Sequence, residues 1–211
     1  MKIILYPGSF NPITNAHINI ANTALQKLNA DKIIFIPAND SYVAKKDTLI
    51  SGPIRCKLIE DIDCTLCDKK EVSYIEISGF DKYGNWNTYA DTPPKTYNTV
   101  NLIKKLNPDN TYYICIGIDN LQSLCTWYNW KTFIKNNKFI VFKRNGISLT
   151  DALYSSGLYE YKNNFTELEI EPNNISSSLV RNNCKLHKFD NIKNIVPDNV
   201  YNYLLKFYNT K

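Results

Sequence analysis

Short apolar runs alternate along this chain with segments of helical periodicity, and this alternation limits the fold more than any other feature of the sequence. The runs predicted to be strands are 2–6, 32–36, 72–77, 111–117, 138–142 and 166–170. Strands that alternate with helices are typical of a parallel sheet covered on both faces. The sequence therefore predicts the α/β class, as a doubly wound parallel sheet.

Helices are predicted between these strands, because apolar side chains recur there every three or four residues. They cover 18–28, about 53–62, 96–106, 121–124, 177–184 and 199–208. The apolar face of the second helix is expected to consist of Ile54, Leu58, Ile59 and Ile62. A chain of 211 residues, 44% of them hydrophobic, can bury a substantial core. We therefore expect a single domain over 1–211, with a C-terminal helical part from about 172.

The charge and the cysteines of the chain favour a cytoplasmic protein that binds small molecules. The formal charge is only +5, whereas a nucleic-acid binder more often shows a dense basic stripe. A short apolar run precedes Gly8, and no run is long enough to span a bilayer, so we expect neither a secretory signal nor a membrane partner. The six cysteines, including the pair Cys64 and Cys67, are expected to be reduced thiols rather than metal ligands.

The first predicted strand runs into the motif YPGSFNPITNAH, which occupies residues 6–17. Gly8 and Pro12 break the strand, and Asn15 can cap the helix that follows. Such a strand–turn–helix junction presents backbone N–H groups and the positive end of a helix dipole, which suit a phosphate. Gly8 lets an anion approach the main chain, because no Cβ stands in the way. His17, one of only two histidines, lies in the first helical turn and can reach the same anion.

A second candidate phosphate site lies near the other end of the chain, where residues 175–181 read ISSSLVR. Taken alone, this pattern is more typical of a serine-capped helix with an exposed arginine. It also fits a second helix N-terminus for a phosphate, with Arg181 supplying a planar charged fork one turn further on. These residues by themselves leave both interpretations open.

Together the two motifs resemble the signatures of the nucleotidyltransferase superfamily, and most closely those of the nicotinamide and nicotinate mononucleotide adenylyltransferases. Many members end the first motif with His-x-Gly-His. Thr14 and Ala16 replace the first His and the Gly here, a form similar to the eukaryotic branch, and His17 is the remaining imidazole. The second motif is similar to the family's Ile-Ser-Ser-Thr-x-x-Arg, with Ser178 in place of Thr. The two motifs also occur in the family's order.

The resemblance implies a Rossmann-like nucleotidyltransferase fold and a set of site residues. It makes His17 and Arg181 the catalytic pair. The residues implied to bind ATP are Gly8, Ser9, Phe10, Thr14, His17, Lys46, Gly117, Asp119, Arg144, Ser177, Ser178 and Arg181. Those implied to bind the mononucleotide are Ser9, Phe10, Lys45, Thr96, Thr99 and Trp127. Trp127 would stack on the pyridine ring, although its residue type fits a core aromatic equally well. Lys95 stands where bacterial members often carry an aromatic residue.

The implied activity is adenylyl transfer from ATP to a pyridine mononucleotide, a step of NAD biosynthesis. The mononucleotide phosphate would attack the α-phosphorus of ATP, and pyrophosphate would leave. The protein then has to bring two polyanions together and stabilise the departing charge. Bound triphosphate is expected to favour a protonated His17. Mg²⁺ is expected to arrive with ATP, because no acidic cluster in the sequence predicts a metal site of the protein.

Other functions stay open at the level of sequence. The acceptor could be another phosphorylated small molecule such as phosphopantetheine, although the stretches around Thr96 and Trp127 argue against it. A non-catalytic nucleotide sensor is opposed by the presence of His17 and Arg181, and the modest charge disfavours an RNA-binding module. Nicotinate and nicotinamide mononucleotide are both compatible with the sequence, as are a monomer and a homo-oligomer.

Overall fold

The computed structural model describes residues 1–43, 49–63, 67–78, 95–143, 147–170 and 174–209. Within them, the strands are β1 (Lys2–Gly8), β2 (Lys32–Pro37), β3 (Lys70–Val72), β4 (Thr111–Gly117), β5 (Lys138–Phe142) and β6 (Phe165–Leu168). They form one parallel sheet in the order β3-β2-β1-β4-β5-β6. The predicted doubly wound α/β fold is confirmed.

Ten α-helices accompany the sheet in the described part of the chain. They are α1 (Asn15–Leu28), α2 (Asp40–Val43), α3 (Gly52–Glu60), α4 (Ile75–Ser78), α5 (Thr96–Leu106), α6 (Leu121–Leu124), α7 (Trp130–Lys135), α8 (Leu149–Ser155), α9 (Ser177–Lys185) and α10 (Asp198–Asn209). Among these described helices, none has both the length and the apolar character needed to cross a membrane.

Alternate residues of each strand enter two separate hydrophobic cores. In β1, Ile4 and Tyr6 face a core shared with α1, α3, α9 and α10. Ile3 and Leu5 face the opposite core, which is shared with α5, α6, α7 and α8. Successive side chains of a strand point to opposite faces, so both faces of the sheet are covered. The C-terminal helices α9 and α10 therefore pack on the same face as the N-terminal helix α1.

The strand order changes direction between β1 and β4, and the sheet opens there. The β1–β4 ladder ends at the pair Leu5–Ile114, whereas the β1–β2 ladder continues to Gly8–Pro37. Beyond Leu5, the carboxyl ends of β1 and β4 are no longer registered with each other. In open α/β sheets, ligands bind in the crevice formed at such a switch point.

The structure differs from the sequence prediction most clearly around residues 72–77, which were expected to be a strand. Only Lys70–Val72 pairs as β3, and the chain then turns into α4. The last sheet-like contact is the Ser73 N–H to the Phe35 carbonyl at 2.8 Å. The alternating apolar pattern is typical of a strand, but it also contains Glu76, which is buried in α4.

Smaller differences concern helix faces and bounds. Ile54 was expected on the apolar face of α3 but is 37% exposed, and Ile62 lies beyond the end of the helix. The buried face of α3 includes Arg55 and Cys56 in addition to the predicted Leu58 and Ile59. The strand predicted at 166–170 is Phe165–Leu168, and the short helices α7 and α8 were not predicted.

Candidate active site

The two motifs singled out in the sequence meet at the loop between β1 and α1. From α9, the Ser177 hydroxyl donates to the Pro12 carbonyl at 2.8 Å, and Arg181 Nη1 donates to the Asn11 carbonyl at 2.6 Å. These contacts join residues that are 165 and 170 positions apart in the chain. The N-terminus of α9 and the loop that leads into α1 therefore lie side by side at the switch point of the sheet.

Arg181 and Ser178 retain hydrogen-bond donors after these contacts are made. Arg181 Nη2 also donates to Ser178 Oγ at 2.8 Å, but a guanidinium carries more N–H groups than these two contacts use. Burial lowers the pKa of Arg181, yet an arginine stays charged at ordinary pH. The Ser178 hydroxyl accepts a hydrogen bond from Arg181, so its own O–H group can still donate one. The Ser177 hydroxyl already donates its hydrogen bond to the Pro12 carbonyl. Arg181 and Ser178 can thus face an anion while Ser177 holds the loop.

His17 lies in the first turn of α1, as predicted, and Thr14 orients it. Thr14, not Asn15, is the N-cap residue of the helix. The Thr14 backbone N–H donates to His17 Nδ1 at 3.1 Å, and the Thr14 hydroxyl lies 2.8 Å from the same nitrogen. Because Nδ1 accepts a hydrogen bond, this network assigns a neutral imidazole with its proton on Nε2. The expected imidazolium concerns the complex with bound triphosphate and stays a prediction, and Nε2 carries a proton in either form.

Thr14 and Phe10 are buried residues that contact His17. Thr14 is fully buried, so its hydroxyl faces His17 and not a phosphate, contrary to the expectation from the sequence. Phe10 is buried as well and packs edge-on against the imidazole, with ring centroids 5.3 Å apart. Its φ of +43° is uncommon for an aromatic residue. A Cβ on Gly8 would lie 2.8 Å from the Phe10 ring, so the glycine accommodates this ring in addition to any anion.

The start of α1 is less open than the sequence indicates. The backbone N–H of Asn15 donates to the Ile195 carbonyl at 3.0 Å, and its side-chain amide donates to the Asn194 carbonyl at 3.1 Å. The C-terminal segment before α10 therefore uses the first N–H group of the helix. An anion at this junction would have to be held mainly by His17, by the loop preceding Thr14 and by α9.

A buried arginine that the sequence did not point to ties the loop to β2. Arg55 is 1% exposed, and its Nη1 donates to the Ser9 carbonyl at 2.6 Å. Its Nη2 donates to the Ala38 carbonyl and to the Asp40 carboxylate, both at 2.6 Å, and Nε donates to the Ile50 carbonyl at 2.9 Å. A buried guanidinium needs such complete pairing. Arg55 thereby holds the ends of β1 and β2 together. Its only sequence signal is a charge on the buried stripe of a helix.

Gly117 and Asp119 lie at the end of β4, across the crevice from Gly8. Asp119 belongs to the 3₁₀ turn Ile118–Asn120, which directly follows the strand. A Cβ on Gly117 would collide with Asp119 Oδ1 and would lie 3.1 Å from the Phe142 ring. The glycine therefore lets the carboxylate lie over the strand end. Because β1 and β4 are parallel neighbours, their carboxyl ends lie at the same edge of the sheet.

A cavity of about 320 Å³, the ring cavity, adjoins the start of α5. Its lining consists of Ala38, Glu76, Lys95, Thr96, Tyr97, Thr126, Trp127 and Tyr128. Trp127 also packs on Phe133 of the core, with ring centroids 6.2 Å apart and an interplanar angle of 29°. The structure thus brings Thr96 and Trp127 together, although 30 residues separate them in the sequence, and their cavity is rich in aromatic side chains.

Glu76 is the second site residue that sequence reasoning missed. It lines the ring cavity but is only 2% exposed. The Asn39 backbone N–H and the hydroxyls of Thr96 and Thr99 donate to its carboxyl group. Burial outweighs these donors and the charge of Arg55, and it raises the pKa of Glu76 to about 8. Thr99, expected to contact the mononucleotide, is itself buried and contacts Glu76 instead.

Three residues of the expected site, Lys45, Lys46 and Arg144, lie outside the described residues. Cys64 does as well. Among the residues that are described, no group of three or more His, Cys, Asp or Glu side chains could hold a metal ion. Within that part of the chain, the carboxylate of Asp119 at the end of β4 is therefore not joined by the further acidic ligands that a metal site of the protein would need.

Comparison with known proteins gives three findings. The cytidylyltransferase-like family model matches residues 5–183. The chain is 35% identical over 190 residues to the probable nicotinate-nucleotide adenylyltransferase of Fusobacterium nucleatum, with 88% of each chain covered. It is 30% identical over 208 residues to the protein of the same name from Clostridium tetani, with 98% of this chain and 97% of the relative covered.

The fold is similar to that of Plasmodium falciparum nicotinic acid mononucleotide adenylyltransferase complexed with NaAD. The TM-score is 0.72 at 20% sequence identity, and the match covers 100% of this chain and 98% of that chain. The complex of the same protein with APC matches with a TM-score of 0.69. At 20% sequence identity, this similarity shows a shared fold and nothing more specific.

Proposed function

We propose, since this chain belongs to the cytidylyltransferase-like family and within it to the nicotinate-nucleotide adenylyltransferases, that it transfers the adenylyl group of ATP to a pyridine mononucleotide. The products are the dinucleotide and pyrophosphate, in a step of NAD biosynthesis. Relatives with this name match over nearly their whole length. We further propose that residues 1–211 act as one catalytic domain, whose part after about 172 contributes α9.

The observation that carries this proposal is the junction of α9 with the β1–α1 loop at the switch point. Arg181 and Ser177 contact the carbonyls of Asn11 and Pro12, so the N-terminus of α9, a guanidinium and the loop that leads to His17 converge on one crevice. Helix N-termini and arginine forks are suited to phosphate groups. The ring cavity then offers an aromatic lining for the second nucleotide. A triphosphate and a mononucleotide are the pair of substrates that such a site fits.

In the reaction, an oxygen of the mononucleotide phosphate forms a bond to the α-phosphorus of ATP. The bond from that phosphorus to the oxygen bridging to the β-phosphate breaks, and pyrophosphate leaves with the electron pair. The attacking phosphate is already ionised, so the step requires no general base. The protein contributes placement of the two anions and stabilisation of the charge that develops on the phosphates.

Each side chain of the crevice has a role in this step. Neutral His17 donates from Nε2 to a phosphate oxygen of ATP, held in place by Thr14. Arg181 and Ser178 donate to the departing phosphates. Asp119, over the end of β4, faces the adenosine. Lys46 and Arg144 are proposed as further ATP contacts, and Lys45 as a contact of the mononucleotide.

Mg²⁺ is proposed to enter with ATP. The donor set of the described site is cationic or neutral apart from Asp119, which suits a metal held chiefly by the phosphates. When bound, the ion neutralises part of the triphosphate charge. His17, Arg181 and the N-terminus of α9 bind and orient the substrate oxygens.

A direct assay tests the proposal. Purified protein is incubated with ATP, Mg²⁺ and, in separate reactions, nicotinate mononucleotide, nicotinamide mononucleotide or phosphopantetheine. We expect pyrophosphate and a dinucleotide with at least one of the pyridine substrates. If product forms with phosphopantetheine alone, the acceptor is not a pyridine mononucleotide. Binding of ATP without product from any acceptor would identify a sensor and refute the proposal.

A further inference from the structure

Buried hydrogen bonds connect the crevice at the β1–α1 loop with the ring cavity. Arg55 Nη1 donates to the Ser9 carbonyl in that loop at 2.6 Å. Arg55 Nη2 donates to the carbonyl of Ala38, also at 2.6 Å, and Ala38 lines the ring cavity. The backbone N–H of Ala38 donates in turn to the Gly8 carbonyl at 2.9 Å. The loop of the phosphate motif is therefore tied at two points to the residue that follows β2.

One peptide group extends this connection from Arg55 to Glu76. The Ala38 carbonyl accepts from Arg55, and the N–H of the same peptide group, which belongs to Asn39, donates to the Glu76 carboxyl group. The C=O and N–H of a trans peptide point in opposite directions, so Arg55 and Glu76 lie on opposite sides of this group. A guanidinium on the carbonyl polarises the peptide and strengthens the hydrogen bond that its N–H donates.

Glu76 continues the connection to the start of α5. The hydroxyls of Thr96 and Thr99 donate to its carboxyl group, and Thr96 is the first residue of α5 and lines the ring cavity. Glu76 and Thr99 are each only 2% exposed, so water competes little for these bonds. Hydrogen bonds therefore lead through the interior from the crevice to the cavity. We call these residues the bridging network: Arg55, the peptide group of Ala38 and Asn39, Glu76, Thr96 and Thr99.

The bridging network is satisfied well enough to be rigid. The charge of buried Arg55 is paired with Asp40 at 2.6 Å. Burial raises the pKa of Glu76 to about 8, so near neutral pH its carboxyl group is mostly neutral and needs no countercharge. Buried polar networks of this kind hold their surroundings in one arrangement. The network is therefore suited to fix the separation of the two sites that it joins.

We propose that Arg55 and Glu76 are positioning residues, which hold the ring cavity at the distance from the crevice where the mononucleotide phosphate meets the α-phosphorus of ATP. Arg55 acts through the carbonyls of Ser9 and Ala38, and Glu76 acts through Thr96. The inference rests on the proposed function, because it assumes that the two substrates occupy the crevice and the cavity. Reacting atoms have to approach to about 3–3.5 Å, and a misplacement of about 1 Å can lower the rate about 100-fold.

Glu76→Met is the main test, because methionine removes the acceptor for Asn39, Thr96 and Thr99. At pH 7 we expect kcat to fall about 10- to 100-fold, while the KM for ATP stays within about twofold of the wild type, because the crevice itself is unchanged. Glu60→Met is the matched control: Glu60 is exposed at the end of α3 and accepts only at the surface, from the Tyr74 hydroxyl at 2.8 Å. It should leave kcat unchanged.

A cavity residue without a positioning role would give a different result. In that case Glu76→Met would raise the KM for the mononucleotide and leave kcat at saturation unchanged, and this outcome would overturn the inference. Calorimetric titration with ATP alone counts the binding-competent molecules in each preparation. Because kcat is expressed per ATP site, a loss of folded protein cannot be mistaken for a loss of positioning.

Glu76→Gln is the conservative variant that should restore turnover. At pH 7 the wild-type carboxyl group is mostly neutral, and the amide of glutamine has a similar shape with both an acceptor and a donor. We expect its kcat to lie within about threefold of the wild type, since most hydrogen bonds of the network can re-form. If the glutamine variant were as slow as Glu76→Met, the role of Glu76 would not be positioning through these hydrogen bonds.

A double-mutant cycle tests whether the network acts as a unit. Arg55→Lys keeps the charge but loses the planar fork that reaches two carbonyls. Thr99→Val removes one donor to Glu76 and conserves the size of the side chain. Each should lower kcat about three- to tenfold. The double variant should lose less than the product of the two factors, because both changes loosen the same connection. Multiplicative losses would indicate two independent structural roles and would overturn the inference.

The failure of this inference is distinguishable from that of the proposed function. If the wild-type protein forms the dinucleotide and Glu76→Met turns over at the same rate, the inference is refuted and the activity stands. If the wild-type protein forms no dinucleotide from either pyridine substrate, the proposed function is refuted, and the inference with it.

Discussion

The phosphate crevice, formed by the β1–α1 loop and the start of α9, and the ring cavity are built in different ways. The crevice uses two continuous motifs, and much of its geometry depends on backbone carbonyls held by Arg181 and Ser177. The ring cavity is assembled from residues that four separate segments supply, Glu76, Thr96 and Trp127 among them. Phosphates are common to many substrates, whereas the ring distinguishes one acceptor from another. We therefore expect changes in the crevice to affect turnover and changes in the cavity to affect the choice of acceptor.

The largest expected effect is that of His17→Ala in the crevice. Removal of one preorganised donor to a charged transition state typically lowers kcat by about 10²–10³-fold. The measurement is steady-state turnover with saturating ATP, with circular dichroism to check the fold. His187→Asn is the control, because His187 is the other histidine and lies exposed on the surface with left-handed backbone. Near-normal turnover of His17→Ala would take this role away from the imidazole.

Arg181→Ala should have the next largest effect, with kcat/KM for ATP reduced about 100-fold, because a charged fork to the phosphates and to the Asn11 carbonyl is lost. Arg181→Lys keeps the charge but cannot make both the Asn11 and the Ser178 contacts. We expect it to recover only part of the loss. Full activity of the lysine variant would show that the charge alone matters, and the geometry of the junction does not.

Trp127→Ala tests the cavity side of the comparison and should act on one substrate only. The loss of a stacking surface is expected to raise the KM for the mononucleotide about tenfold, with little change in the KM for ATP. Trp130→Ala is the matched control, because Trp130 packs edge-on against Tyr161 and does not line the ring cavity. Equal effects of Trp127→Ala on both substrates would assign the indole to the core.

The smallest effect is expected in the pH dependence of stability. The pKa of Glu76 is raised from 4.5 to about 8 in the folded protein, so the folded state binds the proton more tightly than the unfolded chain. Its contribution is full below about pH 4.5 and is lost as pH rises through about 8. Urea unfolding across this range should show a shallower decline for Glu76→Gln than for the wild type. Parallel curves would mean that Glu76 titrates normally.

The helices and strands that were predicted well are those whose pattern of apolar residues lies within one short segment of the sequence. The helix at 96–106 and the strands at 111–117 and 138–142 were predicted with the bounds that the structure shows, because apolar residues recur at helical spacing in the first and form short, almost continuous runs in the other two. The two phosphate motifs were found for the same reason. Glycine, serine and histidine next to a helix start are a local pattern, whatever the rest of the chain does.

Arg55 and Glu76 show what such patterns leave out. Each is an ionisable residue that the fold buries, and the sequence pattern placed one in a plain amphipathic helix and the other in a strand. Their positions follow from partners that only the fold brings near: the Ser9 and Ala38 carbonyls for Arg55, and the Asn39 N–H for Glu76. A buried charge or acid is stable only where such partners surround it.

By itself the sequence determined the alternation of strands and helices, the parallel sheet and the two helix starts that suit phosphates, because each depends on periodicity and caps that neighbouring residues encode. Only the tertiary structure decided that Thr14 faces His17, that Glu76 lies in the ring cavity and that α9 holds the β1–α1 loop through Arg181. The physical reason is that hydrogen bonds and burial act over a few ångströms, and the packing of the sheet and its helices determines which distant residues come that close.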